Sequence, residues 1–400
     1  MQSRRYGMNI FSLLALGIGS IVGAGIFALL GQIEVQSGAW SYWTFVLAGI
    51  VAFFSGYSYA RLNRAYPEAG GLSDYFHFAF KYKWIAGPLS VLYLLTSAIS
   101  ISMMAKSFGI YADEFLAHLS IHVDSVNLFA MGLILILGFL NMMSASDVGW
   151  TEMIFVGIKM SILIGLVLVA FYQLTPYTPS MQTKPAPLTF LGSIGIAFFA
   201  YAGYGVLTNA AKDVQNPRFT IALAIYLTLI IVMLLYLGLV FVTLHYVTPS
   251  ELSANPNITV AIAAQKLLGN WGYSIISLTA VLAFISGINA TFYSMFRIGL
   301  ALSQRAELPK AYQKHFWRKG TWGDAIIVAL IVLATVLFDF SSIVNLSSGA
   351  FLVCYMAVFI ASWILRKKSN AFAPALIIGF FLMLAVFISF IASLLPNDSF

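Results

Sequence analysis

Long apolar stretches separated by short polar ones repeat along the whole chain. Each is about 20 residues long, enough for an α-helix to cross a hydrocarbon core about 30 Å thick. The stretches lack an alternation with period two and exceed the roughly 10 residues of a barrel strand, so the pattern predicts helices. The eleven predicted membrane-spanning segments, numbered 1 to 11, are residues 10–31, 39–60, 84–106, 125–143, 151–172, 188–211, 219–246, 270–302, 323–339, 341–365 and 371–394. The chain is therefore predicted to be an all-α, polytopic membrane protein.

The amino-acid composition is that of a membrane protein. Of the 400 residues, 60% are apolar and 9% are charged, which is unlike a water-soluble domain. The connections between segments are too short to hold a second domain, so residues 1–400 are expected to form one transmembrane domain. Arg4 and Arg5 precede segment 1 as they would a signal peptide. Because the apolar stretch exceeds the usual 7–15 residues and lacks a small-x-small cleavage site, we expect it to be retained.

The positive charges are distributed unevenly between the two sides of the predicted membrane. The net charge is +7. With the N-terminus in the cytoplasm, nearly all lysines and arginines fall on cytoplasmic segments, and the outer loops receive Lys106, Lys184 and Lys266. This asymmetry is the positive-inside rule, so no nucleic-acid partner is expected. We predict a multi-pass protein of the cell membrane with a cytoplasmic N-terminus and, after eleven spans, an extracellular C-terminus.

Metal and enzyme chemistry are not indicated. Cys354 is the single cysteine and lies in segment 10, which excludes an intramolecular disulfide and a cysteine-based metal cage. An intramembrane enzyme would need a nucleophile with a base, or a cluster of metal ligands. The histidines lie in loops or near segment ends, without carboxylates at metal-ligand spacing; they are His77, His118, His122, His245 and His315. We expect no metal, no cofactor and no enzymatic activity.

Segments 1 and 6 contain clusters of glycine in their interiors. Segment 1 contains GIGSIVGAGIF, Gly17 to Phe27, and segment 6 contains AFFAYAGYG, Ala197 to Gly205. Glycine costs a helix roughly 1 kcal/mol relative to alanine, so such clusters lower the cost of unwinding. Glycines in membrane helices also let neighbouring helices pack closely. A pair of such segments five spans apart, however, favours an inverted-repeat transporter with a site near the bilayer midplane.

Broken helices would expose backbone dipoles to a zwitterion. The second half of segment 1 would present free amides near Gly23, Ala24 and Gly25 to a carboxylate. Free carbonyls at the two breaks would accept an ammonium, and aromatic side chains would shape or gate the pocket, unless they only pack. The predicted substrate-binding residues are Gly19, Ser20, Ile21, Val22, Gly23, Ala24, Gly25, Phe27, Phe198, Phe199, Ala200, Tyr201, Gly203 and Tyr204.

One lysine falls near the middle of a predicted span. Lys159 lies about eight residues, or roughly 12 Å, from the inner end of segment 5. An ammonium at this depth costs at least about 2.5–3.5 kcal/mol and almost always faces the bundle interior with a function or a partner. Lys159 is therefore predicted either to carry a proton or, in the alternative, to tie helices together as a permanent cation.

Five motifs carry a resemblance to a known superfamily. They are GSIVGAGIF (19–27), AYPEAGG (65–71), FFAYAGYGVLTNA (198–210), ISGINATFY (285–293) and ELP (307–309). Together they resemble the amino acid–polyamine–organocation superfamily, and in particular its archaeal-type, proton-coupled, broad-specificity amino-acid transporters. Two features depart from the family: it usually has twelve or more spans, and the exit of segment 6 reads KDVQNP where many members carry acidic pairs.

The resemblance implies a leucine-transporter-type fold with a 5+5 inverted repeat. Residues 10–172 would form the first repeat, 188–365 the second, and 371–394 an additional helix, with helices 1 and 6 broken around the substrate. Lys159 matches the family lysine whose amine lies near the carbonyl of Gly19 and the helix 8 serine Ser286, where sodium-coupled relatives hold a cation. These three residues are the implied proton-coupling site.

The expected function is secondary active transport of amino acids, with neutral L-amino acids as substrates because segments 1 and 6 contain no charge. Proton-coupled symport through Lys159 by alternating access is the leading hypothesis, and the proton gradient would supply the driving force. Two alternatives stay open: an exchanger without proton coupling, and a nutrient receptor that binds without transporting. The expected partners are a small-molecule amino acid and the lipid bilayer, and the sequence leaves protein partners unknown.

Overall fold

The computed structural model describes residues 8–67, 69, 71–118, 120–121, 125–143, 148–173, 185–317 and 320–395, without the side chains of residues 24, 148–152 and 316. The helices are α1 Ile10–Ala24, α2 Ile26–Ser37, α3 Ser41–Ala65, α4 Leu72–Ala79, α5 Lys83–His118, α6 Val126–Met143, α7 Val148–Tyr172, α8 Pro187–Tyr201, α9 Val206–Asn209, α10 Pro217–Tyr246, α11 Pro249–Ala254, α12 Thr259–Gln304, α13 Trp322–Leu337, α14 Phe340–Ile364, α15 Arg366–Ser369 and α16 Ala373–Leu394. Two short strands, β1 His315–Trp317 and β2 Gly320–Thr321, pair antiparallel.

The all-α, polytopic prediction is confirmed. Within the described residues, nine helical stretches are long and apolar enough to cross a membrane, and two shorter apolar helices, Ile10–Gly23 and Trp322–Leu337, complete the set. Every predicted segment coincides with one helix or a pair of helices. Segment 1 becomes α1 and α2, and segment 6 becomes α8 and α9. The short helices α4, α11 and α15 lie in the connections.

One predicted boundary differs clearly from the structure. Segment 3 was expected to end at 106, but α5 continues to His118, because buried residues such as Tyr111 keep this extension packed against the bundle. Lys106 is consequently not in an outer loop. It lies inside α5, is 8% exposed, and donates from Nζ to the carbonyl of Phe338. Segment 8 begins at the predicted residue 270, because the backbone leaves the helical conformation at Gly269 (φ 69°, ψ −159°) and divides α12 there.

The two glycine-rich segments occupy the interior of the bundle. Helix α1 packs against α7, α10 and α12, while α8 packs against α3, α14 and α16. Side chains along α1 such as Leu13, Ile21 and Val22 are fully buried. Large apolar side chains on other helices, including Leu168 and Leu234, are instead exposed on the outside, where lipid would cover them. The broken segments are therefore screened from the bilayer by their neighbours.

Candidate functional site

Segment 1 is interrupted at a single residue. Gly25 separates α1 from α2 with φ −96° and ψ −64°, and its amide still donates to Ile21 O at 3.0 Å. The sequence predicts free amides near Gly23, Ala24 and Gly25. This expectation is wrong for Gly25, and Gly23 and Ala24 lie within α1. Gly25 is the N-cap of α2, and no side chain caps the start of this helix.

Segment 6 is broken over four residues. Helix α8 ends at Tyr201 and α9 begins at Val206. The amide of Ala202 donates to Phe199 O at 2.9 Å instead of to Phe198 O, and Ala202 itself is extended (φ −62°, ψ 145°), which ends the helix. Gly203 has φ 131°, a conformation that side chains other than hydrogen rarely tolerate. The glycine that the sequence singled out is the residue that makes this break.

The two breaks face each other across a very short distance. A methyl group added to Gly25 would lie 2.5 Å from Ala200 O, and one added to Gly203 would lie 2.9 Å from the Oγ of Ser20. The structure thus brings the predicted backbone groups of both segments together. Ser20 and Gly203 are partly accessible, whereas Ile21 and Ala200 are buried.

A tyrosine on α10 joins the two breaks. The hydroxyl of Tyr236 donates to Ala200 O at 2.9 Å and lies 3.4 Å from Ile21 O. Tyr236 is fully buried, and its ring lies 5.2 Å from that of Tyr201. Sequence reasoning missed this residue, because a tyrosine in an apolar helix gives no local indication of its long-range partner. Its hydroxyl shows where the carbonyls of Ala200 and Ile21 accept a hydrogen bond from a donor between the two segments.

The predicted aromatic residues divide into two groups. Phe27 forms a buried cluster with Tyr111 and Phe284, with ring centroids 6.2 and 6.3 Å from its own. Tyr201 lies beside Tyr236 and donates to Phe45 O at 3.1 Å. These two therefore remain next to the breaks.

The other three pack away from the contact between the breaks, against α14. Phe198 and Tyr204 contact Tyr355, with centroids 5.2 and 5.5 Å apart. Phe199 contacts Phe351 at 5.1 Å. For these side chains the packing interpretation fits the geometry, and only their backbone groups lie near the breaks.

Lys159 reaches the first half of segment 1. It is 2% exposed, and its Nζ donates to Gly19 O at 3.3 Å. Ser286 is 5% exposed on α12, one residue before Gly287. A methyl group added to Gly23 would lie 2.9 Å from Ala283 O and 3.1 Å from the Cα of Gly287. Glycine therefore lets α1 and α12 touch through their backbones at the level of the predicted coupling residues.

Two polar contacts away from the breaks were also missed. Glu34 at the far end of α2 is 1% exposed and accepts a hydrogen bond from Thr243 on α10. The predicted segment 1 stopped at 31, which placed this acid in a loop. On the opposite side, Asn209 at the end of α9 donates to the Oγ of Ser294 on α12 at 2.9 Å. Both contacts hold the halves of the broken segments to neighbouring helices.

A charged cluster fixes the connection between segments 2 and 3. The ring of His77 on α4 lies 2.5 Å from Glu307, and Arg305 donates to Asp74 at 2.6 Å. One guanidinium nitrogen of Arg305 lies 2.8 Å from Nδ1 of His77. Since Arg305 and Glu307 follow α12, these contacts hold α4 to the end of segment 8. His77 thus has a structural role that the sequence did not indicate.

Comparison with known proteins agrees with this arrangement. The family model described as amino acid permease matches residues 8–400. The inner membrane transport protein YbaT of Escherichia coli is 41% identical over 392 residues, covering 98% of this chain and 91% of the relative. An uncharacterized protein of Methanocaldococcus jannaschii is 30% identical, covering 96% and 90%. The branched-chain amino acid permease BcaP of Bacillus subtilis is 24% identical, covering 92% and 82%.

A polytopic all-α bundle with two interrupted helices facing each other defines a membrane transporter. The chain belongs to the amino acid permease family. It is a multi-pass membrane protein that transports amino acids and is not an enzyme. The predicted superfamily resemblance is thereby confirmed.

Proposed function

We propose that this permease carries neutral L-amino acids across the cell membrane as a proton-coupled symporter that works by alternating access. The main support for the proposal is a hydrogen bond between Lys159 and segment 1, in which Nζ donates to Gly19 O at 3.3 Å. Gly19 lies six residues before the break at Gly25. The amine therefore contacts the helix that also forms the substrate site.

The substrate ammonium would bind between the two breaks. Ala200 O and Ile21 O already share one donor, the hydroxyl of Tyr236, at 2.9 and 3.4 Å. An ammonium offers three donors, and its hydrogen bonds to carbonyls are charge-assisted. The same pair of carbonyls therefore suits the amino group of a substrate, without any acidic side chain.

The substrate carboxylate would bind at the start of α2. This helix has 12 residues, and no side chain caps its first turn. The first amides of a helix have no partner within it, and the helix dipole favours an anion there. Because Gly25 at this terminus touches Ala200, the donor and acceptor groups are adjacent, as a zwitterion requires.

Two observations support a neutral side chain. The side chains next to the breaks are apolar or aromatic, including the buried residues Phe27, Val22 and Tyr201. A cationic or anionic substrate side chain would need a charged partner in such surroundings. The name of BcaP indicates branched-chain amino acids for that relative, which is in keeping with an apolar pocket.

The burial of the site supports alternating access. The cluster of Phe27, Tyr111 and Phe284 closes one side of segment 1, and the contact of Asn209 with Ser294 ties α9 to α12 on the other. A substrate enters and leaves only if these contacts open. Opening them in turn is a gating motion of the kind that other broken-helix transporters use.

The protonation of Lys159 would select between the two states. A protonated amine donates a charge-assisted hydrogen bond to Gly19 O, whereas a neutral amine donates a weaker one. Holding an ammonium within the membrane costs roughly 2.5–3.5 kcal/mol or more, so it depends on such contacts. Loss of the proton would loosen α1 against α7 and α12 and favour the other facing state.

Uptake into proteoliposomes under an imposed pH gradient tests the proposal. The wild-type protein should accumulate labelled neutral amino acids when protons flow inward, and Lys159→Ala should abolish this pH-driven uptake. Lys106→Ala is the matched control, because Lys106 is also buried and also donates to a carbonyl, that of Phe338. This control should retain pH-driven uptake.

The same assay separates the alternatives. Undiminished pH-driven uptake by Lys159→Ala would remove Lys159 from the coupling mechanism. Counterflow without any response of the wild type to pH would identify an exchanger. Amino-acid binding without flux in either assay would identify a receptor. Substrate-induced thermal stabilisation of Lys159→Ala shows that the variant is folded and that its loss of uptake reflects coupling.

A further inference from the structure

Five basic residues form a cluster where the end of α3 meets the connection between α14 and α16. We call this cluster the basic corner: Arg61, Arg64, Arg366, Lys367 and Lys368. Helix α15 contacts α3, and the amide of Phe372 donates to the hydroxyl of Tyr57 at 2.7 Å. The Nζ of Lys368 lies 4.7 Å from the centre of the Tyr66 ring. These contacts bring charges from distant parts of the chain to one place.

Among the described residues, no salt bridge involves the basic corner. Within the part of the chain that the structure describes, the salt bridges are His77–Glu307, Lys266–Glu251 and Arg305–Asp74. Arg64, Lys367 and Lys368 are exposed. Several unbalanced cations at one site create a local positive potential that attracts an anion.

An apolar groove begins beside the basic corner. It lies between α14 and α16, has a volume of about 190 Å³, and is lined by side chains that include Phe359, Trp363, Ile377, Phe380 and Phe381. Its lining is almost entirely apolar, and Phe381 is 61% exposed and Ile377 43% exposed. The groove is therefore open to the outside of the bundle, where the bilayer lies.

Trp363 connects the groove to the charges. Its side chain lines the groove, and the Cζ of Arg366 lies 4.1 Å from the centre of its ring. A guanidinium over an indole face is held by a cation–π interaction. The positive charge is thereby fixed at one end of an apolar channel. An amphiphile with an anionic head and an apolar tail matches both features.

We propose that the basic corner and the groove together bind an anionic glycerophospholipid. Its phosphate head would lie on the basic corner, and one acyl chain would lie in the groove between α14 and α16. A neutral or zwitterionic lipid would fill the groove but leave the cations unbalanced. Basic pockets between transmembrane helices are known to bind acidic lipid head groups. This site is separate from the transport path and does not depend on Lys159.

The first test removes charge. Purified protein in detergent is titrated with phosphatidylglycerol or phosphatidylcholine, and binding is followed by thermal unfolding and by native mass spectrometry of retained lipid. Each lysine at an acidic lipid surface is worth about a factor of five in affinity. Lys367→Gln with Lys368→Gln should therefore weaken phosphatidylglycerol binding by about 30-fold and leave phosphatidylcholine binding unchanged.

The control removes the same charge elsewhere. Lys310 and Lys314 are also exposed lysines, and they lie after α12. Lys310→Gln with Lys314→Gln should keep the wild-type preference for phosphatidylglycerol. An equal loss in the control, or a wild-type protein without any preference for phosphatidylglycerol, would overturn the proposal.

The second test fills the groove. Ile377 lines it, whereas the neighbouring Ile378, 50% exposed, does not. Ile377→Trp should reduce the number of retained phosphatidylglycerol molecules by one, and Ile378→Trp should leave it unchanged. Full retention in Ile377→Trp would show that the acyl chain lies elsewhere and would contradict the proposed site. Inorganic phosphate at millimolar concentration should not displace the lipid, because it lacks the apolar tail.

Discussion

The two interrupted segments differ in what fixes their breaks. In segment 1 the interruption is Gly25 alone, whose φ of −96° any residue can adopt and whose amide keeps its bond to Ile21 O. In segment 6 the helix is lost over four residues, and Gly203 has φ 131°. Segment 6 is therefore broken by its backbone conformation, whereas segment 1 keeps helical φ and ψ at its interruption.

This difference indicates which glycine substitutions would strain the backbone and which would cause a steric clash. At Gly203 a side chain is strained whatever the surrounding space. At Gly25 the conformation is ordinary, but a methyl group would collide with Ala200 O. Substitutions of Gly203 and Gly25 separate these two effects, and Tyr236→Phe removes the hydroxyl that joins the segments.

Gly203→Ala should have the largest effect. The positive φ costs alanine of the order of 1–3 kcal/mol, and its methyl group would lie 2.9 Å from the Oγ of Ser20. We expect the rate of amino-acid uptake to fall at least about tenfold. Gly205→Ala is the control two residues away, because Gly205 has φ −57° and a methyl group there would lie 3.2 Å from the Tyr59 ring. Uptake by Gly203→Ala at the wild-type rate would show that the break needs no glycine.

Gly25→Ala should have the next largest effect, on affinity more than on stability. Its methyl group would lie 2.5 Å from Ala200 O, so the two segments must separate where the substrate binds. We expect KM to rise several-fold, with a smaller change in Tm than for Gly203→Ala. Gly157→Ala on α7 is the matched control, since nothing lies within 4 Å of the added methyl group. A KM unchanged from wild type would place the substrate away from this contact.

Tyr236→Phe should have the smallest effect. It removes the hydroxyl that lies 2.9 Å from Ala200 O and 3.4 Å from Ile21 O. Leaving a buried carbonyl unsatisfied within a membrane bundle costs about 1 kcal/mol. Without substrate, Tm should fall slightly, and added amino acid should raise it by more than in the wild type, because the ammonium replaces the lost donor. A smaller substrate-induced rise would show instead that the hydroxyl contacts the substrate.

The length of apolar runs predicted most of the fold. All eleven segments appear as helices because a span must be about 20 apolar residues long, whatever it contacts. The extension of α5 to His118 was not predicted, since its sequence includes polar residues whose partners lie far away in the chain. The burial of Glu34 was missed for the same reason, because its partner Thr243 is on α10.

The candidate site was predicted less completely than the fold. The two interrupted segments were identified correctly from their glycines, but not every glycine in them interrupts a helix. In segment 1, Gly17 packs against Thr228 and Gly23 against Ala283, while Gly25 alone interrupts the helix. A glycine that permits close packing and one that permits a break look the same in sequence. The position of the break was therefore predicted only to within a few residues.

In the proposed binding mode, the amino and carboxyl groups of one substrate bind together where the segments meet. Thermal unfolding of the wild-type protein with L-alanine, L-alaninamide and L-lactate, each at the same concentration, tests this binding mode. Alaninamide lacks the carboxylate, and lactate lacks the ammonium. L-alanine should raise Tm, and neither analogue should do so. Equal stabilisation by alaninamide or lactate would show that one of the two backbone sites is not used, and would rule out this binding mode.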